Sequence, residues 1–234
     1  MLCGIVIGTT EHSLRDLARD VLGRVGWLSR QPAALRELVL TSAALRRVEA
    51  KASVYHQGDD PDGMYGVVLG CIKVETVHDD GRRTALGLIS EGGWFGEVST
   101  IEGGSPRATS AIAMSSSVVL QISPALFAQI IEQDPRRLLN FATLLSDRVR
   151  TMQWLREELA EPDPVRRLTR VLLWLANLQD WAELSAEVVI PVTQDQIASI
   201  ANLSRATINH ALKQLEKNGR VECRYGAIIL VPAA

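Results

Sequence analysis

The chain has 234 residues, 47% of them hydrophobic, 22% charged, and a formal net charge of −2, enough to bury one large core or two modest ones, and two domains are expected. So near-neutral a balance excludes a general attraction to phosphate, so that any nucleic-acid binding has to come from a local basic patch. Cys3, Cys71 and Cys223 are too few and scattered for a disulfide framework, zinc site or iron–sulfur cluster, and neither a basic lead nor about 18 unbroken apolar residues occurs, which argues against secretion or membrane spanning and for the cytoplasm.

Leu14, Leu17, Ala18, Val21, Leu22 and Val25 fall at helical spacing after Ser13, and a second helix is expected from Pro32 to about Leu45. Between Arg47 and Ile122 the texture changes to short apolar runs, Met64–Leu69, Ile72–Val77, Ala85–Ile89 and Ser117–Ile122. They are separated by Gly58-Asp59-Asp60, Gly70, Asp79-Asp80-Gly81 and Gly92-Gly93. Short strands at regular spacing with turn residues between them predict a β-sandwich or roll.

Within that region, Gly96-Glu97-Val98 is followed by Gly103-Gly104-Ser105-Pro106-Arg107-Ala108-Thr109. A glycine for close approach, a short helical turn and one arginine suit a small phosphorylated ligand. Backbone N–H groups can face the anion, Arg107 can make paired charge-assisted bonds to it, and Glu97 can accept from a sugar hydroxyl. By spacing alone the same residues also fit a Gly-rich strand connection with a surface Glu–Arg pair.

From Pro124 the period is helical again, with one long helix from about Pro135 to Leu159. Leu138, Ala142, Leu145, Val149 and Met152 alternate steps of four and three, the seam of a coiled coil with a second copy; a core helix within one chain is the alternative. Glu161-Pro162-Asp163-Pro164 breaks it as a hinge, and Asp163 can cap a following helix that buries Leu168, Val171, Leu172 and Leu175.

Val188–Val192 reads as a strand leading into two short amphipathic helices. Thr193 and Gln196 form a capping box on the first, Asn202 suits the turn, and Ser204 caps the second. Ile208, Ala211, Leu212 and Leu215 face inward, leaving Arg205, Ala206, Asn209, His210 and Lys213 outward, toward a DNA major groove. The basic residues Arg205, Lys213, Lys217, Arg220 and Arg224 cluster here against Glu216 and Glu222. A surface helical hairpin with solvated charges has the same period. Arg220–Arg224 and Ala227–Val231 around Tyr225-Gly226 predict a hairpin wing.

This order of β-roll, Gly-Glu…Pro-Arg cassette, long helix, hinge and winged helix-turn-helix resembles the cyclic-AMP receptor protein and fumarate-nitrate-reduction regulator (CRP/FNR) family, from about Val25 to Pro232. The resemblance implies an α+β fold with residues 1–30 as a helical extension and 31–134 as a jelly-roll-like cyclic-nucleotide-binding β-roll. A dimerisation helix over 135–161 and a DNA-binding winged helix-turn-helix over 162–234 follow. It implies that Gly96, Glu97 and Val98 hold the ribose and cyclic phosphate, Arg107 clamps the phosphate with Ala108 and Thr109 beside it, and Leu86 lines the base. Ala108 departs from the hydroxyl usual in bacterial members, leaning toward cyclic AMP over cyclic GMP. Thr151, Met152 and Gln153 match the positions that meet the base across the dimer, although a thioether at Met152 cannot serve a base edge. On the DNA side the resemblance makes Arg205 the base reader, with Thr193, Ser204, Thr207 and Lys213 near phosphates, Gln194 also at the DNA and Asn209 facing the groove. Ala206 and His210 stand where the receptor has an acid and an arginine, which predicts a different operator.

The implied partners are a second copy, palindromic double-stranded DNA and RNA polymerase, with no cofactor beyond the effector. Two alternatives stay open: another effector or none, and a cyclic-nucleotide module acting on protein partners. Haem sensing is not expected, because His78 sits in a turn and Cys71 on a strand. Ser99, His56 and Asp59 supply the letters of a catalytic triad but no nucleophile elbow surrounds them, and no enzyme is predicted.

Overall fold

The computed structural model describes residues 10–176, 178 and 180–232. They fall into two compact units: one takes the chain up to Val77 with Leu88–Arg148, the other His78–Gly87 with the chain from Val149 onward. In chain order the elements are α1 (Glu11–Arg24), α2 (Gly26–Ser29), α3 (Ala33–Ser42), β1 (Ala44–Val48), β2 (Ser53–Tyr55), β3 (Met64–Leu69), β4 (Ile72–Val77), β5 (Arg83–Ile89), β6 (Trp94–Phe95) and α4 (Glu97–Ile101). There follow β7 (Ser110–Ala113), β8 (Ser117–Ile122), α5 (Pro124–Gln133), α6 (Arg137–Leu159), α7 (Pro164–Leu175), β9 (Val188–Ile190), α8 (Gln194–Ile200), α9 (Arg205–Lys217), β10 (Val221–Arg224) and β11 (Ala227–Leu230).

The N-terminal unit is a roll of two antiparallel sheets, ordered β1-β8-β3-β6 and β2-β7-β4-β5. Both faces of the first sheet are covered, so β3 reads as a continuous apolar run rather than an alternating one. Its inward residues Tyr65 and Val67 join Val54, Tyr55, Phe95 and Val119 between the sheets. On the outer face, Met64, Val68, Leu120 and Ile122 meet Leu14, Leu22, Trp27, Leu28 and Phe141 from the helices. Gly66 permits this contact: a Cβ there would lie 2.8 Å from the Trp94 ring and 3.2 Å from Leu22.

Two boundaries differ from expectation. α1 begins before Ser13, at Glu11, with Thr10 as its cap, its hydroxyl accepting from the Ser13 amide. The helix expected to reach Leu45 ends at Ser42, because Ala44–Val48 is taken as β1 by pairing with β8, Leu45 opposite Leu120. Ladder bonds and burial outweigh the helical preference of Ala and Leu there.

In the C-terminal unit α7 buries Leu168, Val171, Leu172 and Leu173, and α9 contributes Ile208, Ala211, Leu212 and Leu215. The Asp163 carboxylate accepts from the Val165 and Arg166 amides, and Pro164 occupies the first turn, where its missing N–H costs nothing. Strands β10, β11 and β9 form a small antiparallel sheet. Gly226, at φ +71°, makes the turn between β10 and β11. Among the described residues no helix is long and apolar enough to cross a membrane.

The residues expected to form a seam on α6 are mostly exposed, with Leu145 half-buried. Leu138, Val149 and Met152 are exposed, whereas Phe141 and Leu144 are the buried positions of the same helix. Leu22→Ala, which removes methyls packed against Gly66 and Trp94, is expected to destabilise the roll by about 2–5 kcal/mol, measured as a lower denaturant midpoint with unchanged slope.

Candidate functional site

Arg107 is the centre of the roll's polar machinery. Its side chain is 1% exposed. Nη1 donates to the Gly96 carbonyl at 2.8 Å, and Nη2 donates to the Asp62 carboxylate at 2.8 Å and to the Gly63 carbonyl. The Tyr55 ring lies under the guanidinium, 4.1 Å from its carbon to the ring centroid. A buried cation needs such a cage. One donor remains unsatisfied: the Arg107 Nε–H is buried without a partner. An orphaned donor of this kind is a place for an acceptor such as a phosphate oxygen.

Gly96 turns the chain into α4 at φ +79°, and a Cβ there would meet Arg107 Nη1 at 2.9 Å. Backbone handedness and close approach both require glycine. Glu97, next in the chain, is 2% exposed and accepts from Arg148 Nε at 3.0 Å, while Arg148 Nη2 donates to the Trp94 carbonyl. Burial pushes the Tyr55 hydroxyl above its ordinary value, although the Arg107 charge and a hydrogen bond with Thr109 oppose it. Burial also acts to raise the Asp62 carboxyl. Hydrogen bonds from Tyr65 and Arg107, with the charges of Arg107 and Arg46, outweigh it and hold Asp62 below the usual carboxylate range.

The structure thus gathers Gly96, Glu97, Arg107 and Thr109 within one network. Val98 and Leu86 are exposed at 43% and 44%, and Ala108 is exposed beside Arg107. On α6, Met152 and Gln153 face solvent and Thr151 is half-buried. Sequence reasoning missed Asp62, Tyr55 and Arg148. Arg148 had a signal: it follows Phe141 and Leu144 at i+7 and i+4 on the buried face of α6, where a charge demands a partner. Asp62 and Tyr55 had none.

The second constellation is the helix pair of the C-terminal unit. The Thr193 hydroxyl accepts from the Gln196 amide, and the Gln196 side chain accepts from the Thr193 amide. Asn202 turns the chain at φ +50°, a left-handed conformation Asn tolerates. Ser204 caps α9 and lies 2.7 Å from the Thr207 hydroxyl. Arg205, Ala206, His210 and Lys213 are exposed; Gln194, Thr207 and Asn209 are half-exposed. Arg205 Nε lies 3.3 Å from Asp195, an acid that sequence reasoning left out. Both side chains are about two-thirds exposed, so the pair orients the arginine and adds little stability. Among the described residues no group of three or more His, Cys, Asp or Glu could hold a metal ion.

Comparison with known proteins gives two family matches: a cyclic nucleotide-binding domain over residues 45–134 and a Crp-like helix-turn-helix domain over residues 166–234. The cAMP-activated global transcriptional regulator Vfr of Pseudomonas aeruginosa is 30% identical over 182 residues, 76% of this chain and 85% of that protein. The cAMP-activated global transcriptional regulator CRP of Salmonella typhimurium is 26% identical over 195 residues, 83% of this chain and 92% of the relative. Among solved structures, the c-di-GMP responsive global regulator CLP of Xanthomonas campestris superposes with a TM-score of 0.67 at 22% identity, covering 86% of this chain and all of that one.

Because Asp62 is depressed in the folded state, the stability it contributes is present above its ordinary value and lost as pH falls through its folded one. The gap in denaturant midpoint between the wild type and Asp62→Asn is therefore expected to be widest near pH ~6 and to close toward pH ~2.

Proposed function

The chain belongs to the CRP family of transcriptional regulators, and on that premise we propose that cyclic AMP, held in the β-roll at Arg107, controls how a homodimer grips DNA. The regulator is not an enzyme: its relatives are transcription factors, and it carries a cyclic nucleotide-binding domain followed by a DNA-binding helix-turn-helix. The observation that carries the effector reading is the orphaned Arg107 Nε–H, buried beside a glycine that tolerates no Cβ. A cyclic phosphate supplies the missing acceptor. Ala108 withholds the hydroxyl that would favour cyclic GMP, and the two curated relatives above are cAMP-activated.

In this reading Glu97 accepts from the ribose hydroxyl on one side and from Arg148 of α6 on the other, so that the nucleotide is felt by the long helix. Gly96, Val98 and Thr109 line the phosphate, and Leu86 the base. Met152 and Gln153, exposed in one chain, meet the second copy along the seam of Leu138, Ala142, Leu145 and Val149, with Thr151 as the hydroxyl nearest them. Paired α6 helices present two α9 helices about 34–36 Å apart to successive major grooves of a palindromic operator. Arg205 reads guanine O6 and N7, Asn209 and His210 face bases, Thr193, Ser204, Thr207 and Lys213 hold phosphates, and Gln194 lies at the DNA. RNA polymerase is the further partner of such a factor, and the cytoplasm its place of work.

Two measurements test this. Calorimetric titration of cyclic AMP is expected to give binding in the wild type and a loss of about 100-fold or more in Arg107→Gln, since a charge-assisted contact worth about 1.5–3 kcal/mol and the cage both go; unchanged affinity removes Arg107 from the site. With duplex DNA, Arg205→Ala should lose roughly 10- to 100-fold of discrimination while retaining weak, salt-sensitive binding. Discrimination surviving that change would assign the reading to another residue.

A further inference from the structure

The contact between Asp195 and Arg205 joins two helix starts. Asp195 is the second residue of α8 and Arg205 the first of α9. Arg205 Nε lies 3.3 Å from Asp195 Oδ1, and the side chains are 68% and 67% exposed. No acid of α9 itself stands near that arginine. From Arg205 to Leu215 the helix carries none, and Glu216 follows about 16 Å along the axis, where its carboxylate accepts from the Cys223 amide. The carboxylate beside Arg205 is therefore supplied by the neighbouring helix.

We infer that Asp195 is a positioning residue for DNA reading: it holds the Arg205 guanidinium ready for guanine and makes phosphates poor competitors for it. The inference rests on the assignment of Arg205 as the base reader. A carboxylate at Nε occupies one edge of the guanidinium and leaves the two terminal nitrogens free. Their N–H groups form the fork that guanine O6 and N7 accept. A long arginine side chain loses rotamer freedom when it binds, and a contact that already restricts it before the duplex arrives makes that loss smaller.

The second effect is electrostatic. An exposed arginine with no acid beside it pairs with whichever phosphate lies nearest, and such a contact carries no sequence information. With Asp195 in contact the pair is neutral as a whole, so a phosphate gains little from it while the fork toward a base edge is kept. Asp195 also follows Thr193 and Gln194, the residues placed at the duplex, so its charge opposes the DNA backbone at every sequence. Only a site with guanine in reach of Arg205 offsets that repulsion, and specificity is the difference between the two cases. A purely structural role accounts poorly for the acid. The capping box of α8 is made by Thr193 and Gln196, α9 is capped by Ser204, and an ion pair this exposed adds little to stability.

The test compares full-length wild type, Asp195→Asn, Asp195→Glu, Arg205→Ala and the Asp195→Asn/Arg205→Ala double variant at one salt and nucleotide concentration. Anisotropy gives the dissociation constants for a duplex selected by the wild type from a random pool and for a scrambled duplex of the same length. Asp195→Asn should lose about three- to tenfold of the ratio between them. Its affinity for the scrambled duplex should be retained or tightened, since a negative charge beside the phosphates has gone. Asp195→Glu, which keeps the charge, should retain the wild-type ratio to within about twofold, and Asp195→Asn should have no further effect on the ratio once Arg205 is alanine. Equal melting temperatures establish that the variants are folded. A ratio unchanged in Asp195→Asn but lost in Arg205→Ala overturns the proposal and leaves the base reader in place. Equal weakening on both duplexes, or the same loss in Asp195→Glu, makes Asp195 a structural residue and overturns it too. A ratio that survives Arg205→Ala removes the base-reader assignment itself, and the proposal with it.

Discussion

A guanidinium carried into the interior of a β-roll is tolerable only if the chain is built around it, and the caging of Arg107 is the constraint on which the N-terminal unit depends. Removing a cation from water costs several kcal/mol unless oxygen acceptors replace the solvent. Here the acceptors are the Gly63 and Gly96 carbonyls and the Asp62 carboxylate. The backbone of Arg107 is tied as well: its amide donates to the Asp59 carbonyl, and its own carbonyl accepts from the Gly58 amide. One residue therefore fastens the loop before β3, the turn into α4 and the entry to β7. The ring faces of Tyr55 and Tyr65, and Phe95 stacked 5.2 Å from Tyr65, fill the space between the sheets around it.

The same network reaches the long helix. Glu97 follows Gly96 directly, and its carboxylate is the partner that lets Arg148 lie on the inner side of α6. Trp27 strengthens the attachment one turn and more earlier, its indole N–H shared between the Asn140 carbonyl and the Thr143 hydroxyl. A ligand that re-forms the bonds of Arg107 or Glu97 consequently acts on groups that also hold α6, the helix whose apolar Leu138, Val149 and Met152 are exposed. In the C-terminal unit the reading helix is set by capping: Ser204 fixes where α9 begins, and that start places Arg205, Ala206 and Thr207 in its first turn.

Legibility from sequence followed the range of the interactions. The helix-turn-helix is local, and Thr193 with Gln196, Asn202 and Ser204 occupy the roles their chemistry suggests. Strands β3, β4 and β8 were visible as apolar runs between turn residues. Strands β2, β6 and β7 were not, since two or three residues such as Trp94-Phe95, or small ones such as Ser110-Ala111, carry no period. β1 was hidden inside a helical pattern that only pairing with β8 interrupts. At the site, the Gly96-Glu97 and Arg107 signature was legible because its residues are close in sequence. Its partners Asp62 and Arg148 lie 45 and 51 residues from the groups they bind, and no local spacing announces them.

The central claim is that a small anion in the roll changes the grip on DNA. The direct test is fluorescence anisotropy of a duplex selected by the protein from a random pool, titrated at fixed salt with and without saturating cyclic AMP. The account predicts affinities that differ by about tenfold or more, a coupling of about 1.4 kcal/mol. Superimposable curves, in a protein shown by calorimetry to be saturated with the nucleotide, would contradict it.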